Sequence, residues 1–127
     1  MQHGALRALK VLVYSYAGLK TLWKGEESFR QEVLLGGIAW GVLFYLGAMA
    51  QDLMIFTGML FLLFCTEALN TGLERIADKI DSSINPFTKE VKDLGAVAVF
   101  FIIIPTVSWF LYVLSTCLLY TSDAADE

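Results

Sequence analysis

Glu67, Asn70 and Glu74 stand three and four residues apart at the end of an apolar run from Leu53 to Thr66. On a helix advancing about 100° per residue they share one face, and one further turn adds Asp78. An ionisable group in hydrocarbon costs roughly 2.5–3.5 kcal/mol on insertion scales, so two carboxylates and an amide kept together there read as a working site. For Glu74 and Asp78 the competing reading is a helix end already clear of the bilayer, where acids are merely solvated. The chain has no glycine-rich phosphate loop and no Cys/His metal spacing, and its one histidine is His3. Any phosphate chemistry must therefore use carboxylates, whose natural cation is Mg²⁺, bound through one or two of them plus substrate phosphates. Glu26 and Glu74 are the acids placed to reach the interface for that task.

The elements that must position these groups are membrane helices. Hydrophobic residues make up 57% of 127 residues and the mean hydropathy is +0.62, an excess gathered in long runs. The expectation is an all-α membrane protein in which a surface helix precedes three spans, forming an oligomeric bundle. The spans are expected at about 33–50, 53–73 and 94–116, each near the ~20 residues needed to cross. Arg7, Lys10, Lys20, Lys24 and Arg30 precede the first span, and Arg75, Lys79, Lys89 and Lys92 fall between the second and third. The positive-inside rule then puts the N-terminal arm and the 75–93 connection in the cytoplasm, with Glu67, Asn70 and Glu74 facing cytosolic solutes. The net charge of −4 is a poor guide to partners, because both cytosolic segments mix bases with acids; nucleic acid is not an expected partner.

Residues 5–25 place Arg7, Lys10, Lys20, Thr21 and Lys24 on one side of a helical projection and Leu6, Leu9, Val13, Tyr16 and Trp23 largely on the rest. That is the pattern of a helix lying in the interface plane. The Lys24-Gly25-Glu26-Glu27 stretch then lets the chain turn into the first span near Phe29. Cys117 to Glu127 resembles translated transposon-adapter sequence and is expected to be a non-native tail outside the fold. It carries Asp123, Asp126 and Glu127 and no base, so without it the charge falls to −1. Cys65, expected to be buried in the second span, is then the one native cysteine, and no disulfide is expected.

Glu67-Ala-Leu-Asn-Thr-Gly-Leu-Glu-Arg-Ile-Ala-Asp78, Ser28-Phe-Arg-Gln-Glu32 and Lys92-Asp93-Leu-Gly95 together resemble the motifs of the prokaryotic diacylglycerol kinases, small three-span membrane enzymes. The resemblance runs without gaps from about Arg7 to Thr116. It implies ATP-dependent phosphorylation of diacylglycerol to phosphatidic acid at the cytosolic face of a bacterial inner membrane. It implies Glu67 as general base on the lipid hydroxyl, with Asn70 positioning the neighbouring carboxylates. It further implies Glu26 and Glu74 as the Mg²⁺ pair, and Lys92 and Asp93 beside the nucleotide phosphates. Arg7 and Tyr14 match positions near nucleotide or headgroup; Ser28, Phe29, Arg30, Gln31 and Glu32 match positions near the lipid. A base, a lysine and a divalent cation at one interface suffice for phosphoryl transfer, which needs positioning and charge neutralisation more than covalent chemistry.

The sequence departs from the family pattern at Gly72, Ala77 and Tyr16, and the loop from Asp81 to Phe87 differs enough that its nucleotide contacts are not carried over. Undecaprenol kinase shares the chemistry and differs in acceptor. A proton- or ion-conducting subunit would also keep a helix carboxylate, but has no need of a second interfacial acid, a Lys92-Asp93 loop and an amphipathic arm. Three spans enclose little interior, so other protomers are expected to shield Glu67, with Gly36, Gly37, Gly41, Gly95 and Ala96 allowing close packing. The resemblance implies a homotrimer with shared active sites. Pro105 is expected to kink the third span.

Overall fold

The computed structural model describes residues 2–83 and 85–126 as four helices in chain order. They are α1 (Gln2–Gly25), α2 (Glu27–Tyr45), α3 (Ala50–Ile80) and α4 (Pro86–Asp126). At 1.5 Å rise per residue α3 is about 46 Å long and α4 about 60 Å, both beyond the ~30 Å of a hydrocarbon core. These two are long and apolar enough to cross a bilayer. α2 is shorter and carries Glu27, Arg30 and Glu32 in its first turns.

The first expected span, 33–50, is corrected by the turn that ends α2. The chain leaves the helix after Tyr45 and re-enters one at Ala50, and Gly47 sits between them at φ 82°, a left-handed conformation that glycine adopts without strain. The turn closes on itself, with Gly47 N–H donating to the Phe44 carbonyl at 3.1 Å and Ala48 N–H to that of Leu43 at 3.0 Å. Near this turn lies the largest cluster of buried side chains: Leu43 of α2, Phe56 and Leu60 of α3, and Val113 and Cys117 of α4. Trp109 donates its indole N–H to the Asp52 carbonyl at 3.2 Å, fixing α4 against the start of α3.

Residues 117–126 continue α4, and Cys117 is buried where the chain still passes the α2–α3 turn. Cys65 is exposed, since it lies on a face of α3 that neither α2 nor α4 covers. Pro105 lies inside an unbroken α4. The Thr106 hydroxyl beside it donates to the Ile102 carbonyl at 2.6 Å.

α1 packs on α2 and leaves most of its side chains exposed. Its end matches the expected turn: α1 stops at Gly25, Glu26 is extended at φ −121° and ψ 105°, and α2 starts at Glu27. Arg30 clamps this elbow by donating its guanidinium to the carbonyls of Trp23 at 2.6 Å and Lys24 at 3.3 Å, the last acceptors of α1. Phe29 anchors it from the other side, buried edge-on against Phe64 of α3 at 5.5 Å between ring centroids.

Candidate active site

The Glu67 end of the stripe faces the interior of the single chain, and exposure increases along it toward Asp78. Glu67 is 6% exposed although its helix neighbours Thr66, Ala68 and Leu69 are more open. The face that carries it is the face of Phe56, Leu60 and Leu63, so the same periodicity that packs α3 against its neighbours carries the acid inward. This corrects the expectation that only other protomers shield Glu67: α2 and α4 already do.

Across from it stands Glu32 of α2, close enough for its carboxyl to interact with that of Glu67. One Glu32 oxygen, Oε2, is buried without a partner. The two acids thus face each other across the α2–α3 contact. An apolar cavity of about 260 Å³ runs from Glu32 along Leu35 and Ala39 of α2, Leu60 and Leu63 of α3 and Phe110 of α4. Glu32 therefore stands at the polar end of a greasy slot, with Glu67 behind it.

One turn further along α3, Asn70 donates from Nδ2 to Glu74 Oε1 at 3.4 Å. Lys92 of α4 bonds Asp78 Oδ1 at 2.6 Å and lies within electrostatic reach of Glu74. The hydrogen bond to Asp78, reinforced by the charges of Asp78 and Glu74, holds the Lys92 ammonium above the usual lysine range. Lys92 is half exposed, which leaves it free to meet another anion from solvent.

Glu26 stands at the elbow between α1 and α2, half-buried and with no capping bond from its side chain. Arg75 Nη2 lies 3.0 Å from where a Cβ on Gly25 would stand, so the elbow meets α3 at the level of Arg75. Glu26 and Glu74 each adjoin that contact in sequence. Among the described residues no three His, Cys, Asp or Glu side chains gather as a metal cage. Hard carboxylate oxygens on two acids nevertheless suit Mg²⁺, which takes its remaining ligands from water and substrate phosphates.

The structure thus brings Glu32 to Glu67 and, further along the same face of α3, gathers Asn70, Glu74, Asp78 and Lys92, and leaves other expected site residues apart. Asp93 is paired with Lys89 at 2.6 Å on an exposed face of α4, because residues 89 and 93 are one turn apart while 92 points elsewhere. Phe29 and Arg30, expected near the lipid, are occupied in the core and at the elbow. Arg7, Tyr14, Ser28 and Gln31 are exposed; Gln31 donates to Glu27 at 3.4 Å, and Arg7 shares a shallow surface hollow with Lys10. Sequence reasoning missed the Glu32–Glu67 contact and the Arg75–Gly25 contact, both of which cross between helices. The signal for the first was present: each acid is the innermost charge of its apolar segment.

Comparison with known proteins agrees with the motifs. A family model described as prokaryotic diacylglycerol kinase matches residues 13–114. A diacylglycerol kinase of Pseudomonas aeruginosa is 32% identical over 109 residues, covering 85% of this chain and 89% of that protein. One from Escherichia coli K12 is 30% identical over 107 residues, covering 84% and 88%. One from Helicobacter pylori is 32% identical over 117 residues, covering 88% of each.

Proposed function

The chain belongs to the prokaryotic diacylglycerol kinase family, and on that premise we propose that it moves the γ-phosphoryl group of ATP to the free hydroxyl of diacylglycerol, giving phosphatidic acid and ADP. The reading is carried by one observation: Glu67 is buried against Glu32, which lines the polar end of an apolar slot, and a carboxylate–lysine cluster lies two to three turns further along the same face of α3. Lipid chains suit the slot, and the glycerol hydroxyl then meets the acid pair. Glu67 takes the hydroxyl proton as the oxygen attacks the γ-phosphorus and the bond to the β-phosphate oxygen breaks.

Glu26 and Glu74 would hold a divalent cation, which when bound neutralises phosphate charge. Asn70 holds the Glu74 carboxylate in place. Lys92 exchanges Asp78 for the phosphates of the nucleotide, and exposed Arg7 and Tyr14 on α1 contact nucleotide or headgroup. Ser28 and Gln31 contact the lipid from the elbow, with Asp93 at the nucleotide edge. In the membrane, α2, α3 and α4 cross as three spans and α1 lies along the cytosolic leaflet, with the N-terminus inside. The open faces of Gly37 and Gly41 on α2 allow a neighbouring helix to approach closely, which favours assembly as a homotrimer.

The test is labelled ATP with the purified protein in mixed micelles, offered diacylglycerol or undecaprenol in parallel. The expected product is a lipid phosphate from diacylglycerol that requires Mg²⁺. Preference for the polyprenol would overturn the acceptor, and label on neither lipid would overturn the kinase reading.

A further inference from the structure

We infer that Gly95 of α4 is a positioning residue that holds Asn70, and through it Glu74, in the geometry the phosphoryl transfer needs. The inference rests on the reading of Glu74 as a carboxylate on the metal–nucleotide side of the site. Gly95 is buried where α4 crosses α3, one turn after Lys92. A Cβ at this position would overlap Asn70 Oδ1 outright and stand 3.1 Å from its Cγ and 3.8 Å from its Cβ. The whole outer half of the Asn70 side chain therefore lies on the bare Cα of Gly95.

The other helical glycines do not share this situation. Gly37, Gly41 and Gly72 face open space, and at Gly36 an added methyl would meet the end of the Leu60 side chain, which can rotate aside. Asn70 has less freedom. Its Nδ2 is committed to Glu74 at 3.4 Å, and its Oδ1 is buried with no hydrogen-bond donor. A buried amide oxygen without an N–H or O–H partner sits tolerably only against a weak donor, and a glycine Cα–H at a helix crossing is such a group. A methyl group in its place drives the amide off this contact, and any rotation that relieves the clash also swings Nδ2 away from Glu74. The carboxylate is then freed from the orientation that the amide imposed.

Gly95→Ala is a clean probe because alanine favours the helix over glycine, so a loss cannot come from weakening α4. Asn70 and Asn85 are the two asparagines of the chain, so selective ¹⁵N-asparagine labelling in micelles gives two side-chain amide pairs. Gly95→Ala is expected to move the Asn70 pair and leave the Asn85 pair in place. In kinetics it is expected to raise KM for the metal–nucleotide about tenfold or more, the effect of one lost hydrogen bond to a charged group, with a smaller change in kcat. In an Asn70→Ala background, where the clashing atoms are gone, Gly95→Ala is expected to add less than about twofold. An unmoved Asn70 signal, or a loss of equal size in both backgrounds, would overturn the inference. Wild-type protein with no lipid kinase activity would instead overturn the reading beneath it, and the amide spectrum, which needs no turnover, tells the two failures apart.

Discussion

Glu74 offers a carboxylate steadied on one oxygen by Asn70 and approached by the charge of Lys92, which suits it to share a cation with Glu26. Glu74→Ala is expected to raise the Mg²⁺ concentration needed for half-maximal rate about tenfold or more while leaving lipid KM within about twofold. Unchanged Mg²⁺ dependence would remove Glu74 from the metal. Phe29 works differently: with its ring buried on Phe64, Phe29→Ala is expected to cost about 3 kcal/mol of stability, read as a lower unfolding midpoint in detergent. At this scale the shared face was legible because i, i+3, i+4 spacing fixes it once a single helix, α3, carries Glu67, Asn70, Glu74 and Asp78. The pairing of Glu67 with Glu32 was not legible, because spacing within one helix carries no information about what a second helix places opposite. The pairing of Lys89 with Asp93 was available from their one-turn separation and competes directly with a nucleotide role for Asp93.

Elements are joined here by short polar devices. The turn from α3 to α4 is built on Asp81, which accepts from the Ser83 backbone at 2.9 Å, the Ser83 hydroxyl at 2.5 Å and the Asn85 amide at 2.5 Å. Asn85 in turn caps α4, accepting from the Thr88 N–H at 2.9 Å just ahead of Pro86 in the first helical position. The Ser83 hydroxyl, then its N–H and the Asn85 amide, hold the Asp81 carboxyl below the usual range. A depressed folded-state value stabilises above the unfolded value of about 3.9 and is lost as pH falls through the folded one. Amide hydrogens in the first turn of α4 are therefore expected to lose protection as pH drops below about 4, with Asp81→Asn abolishing that dependence. A pH-independent protection would contradict it. The sequence reading treated this loop as a departure from the family pattern; its capping role follows from Asn-Pro before a helix and was there to be read. At the other junction, Arg30→Met is expected to release the end of α1 and speed tryptic cleavage at Lys24 several-fold. An unchanged rate would mean that the clamp on the Trp23 and Lys24 carbonyls does not hold the elbow.

For the whole molecule, the boundaries of the apolar runs gave the number and order of helices but not where the first span stops. A glycine in a left-handed conformation between two apolar stretches ends a helix without any break in hydropathy, and that is what Gly47 does. Burial of Glu67 within one chain also exceeds what three helices were expected to provide, because α3 and α4 pack along much of their length. The proposed homotrimer is therefore not needed to hide the acid. Chemical cross-linking in detergent is expected to stop at three copies; a pattern stopping at one would contradict the homotrimer. The proposed function requires one arrangement, in which the buried Glu67 meets a lipid hydroxyl beside a nucleotide. The most direct measurement is the single-turnover rate of label transfer to diacylglycerol by wild type and Glu67→Gln, with matched circular dichroism and oligomeric state. The account predicts a loss of about 10²–10⁴-fold in the transfer step, the usual worth of a general base, with KM for both substrates little changed. Transfer by Glu67→Gln within a few-fold of wild type would contradict it.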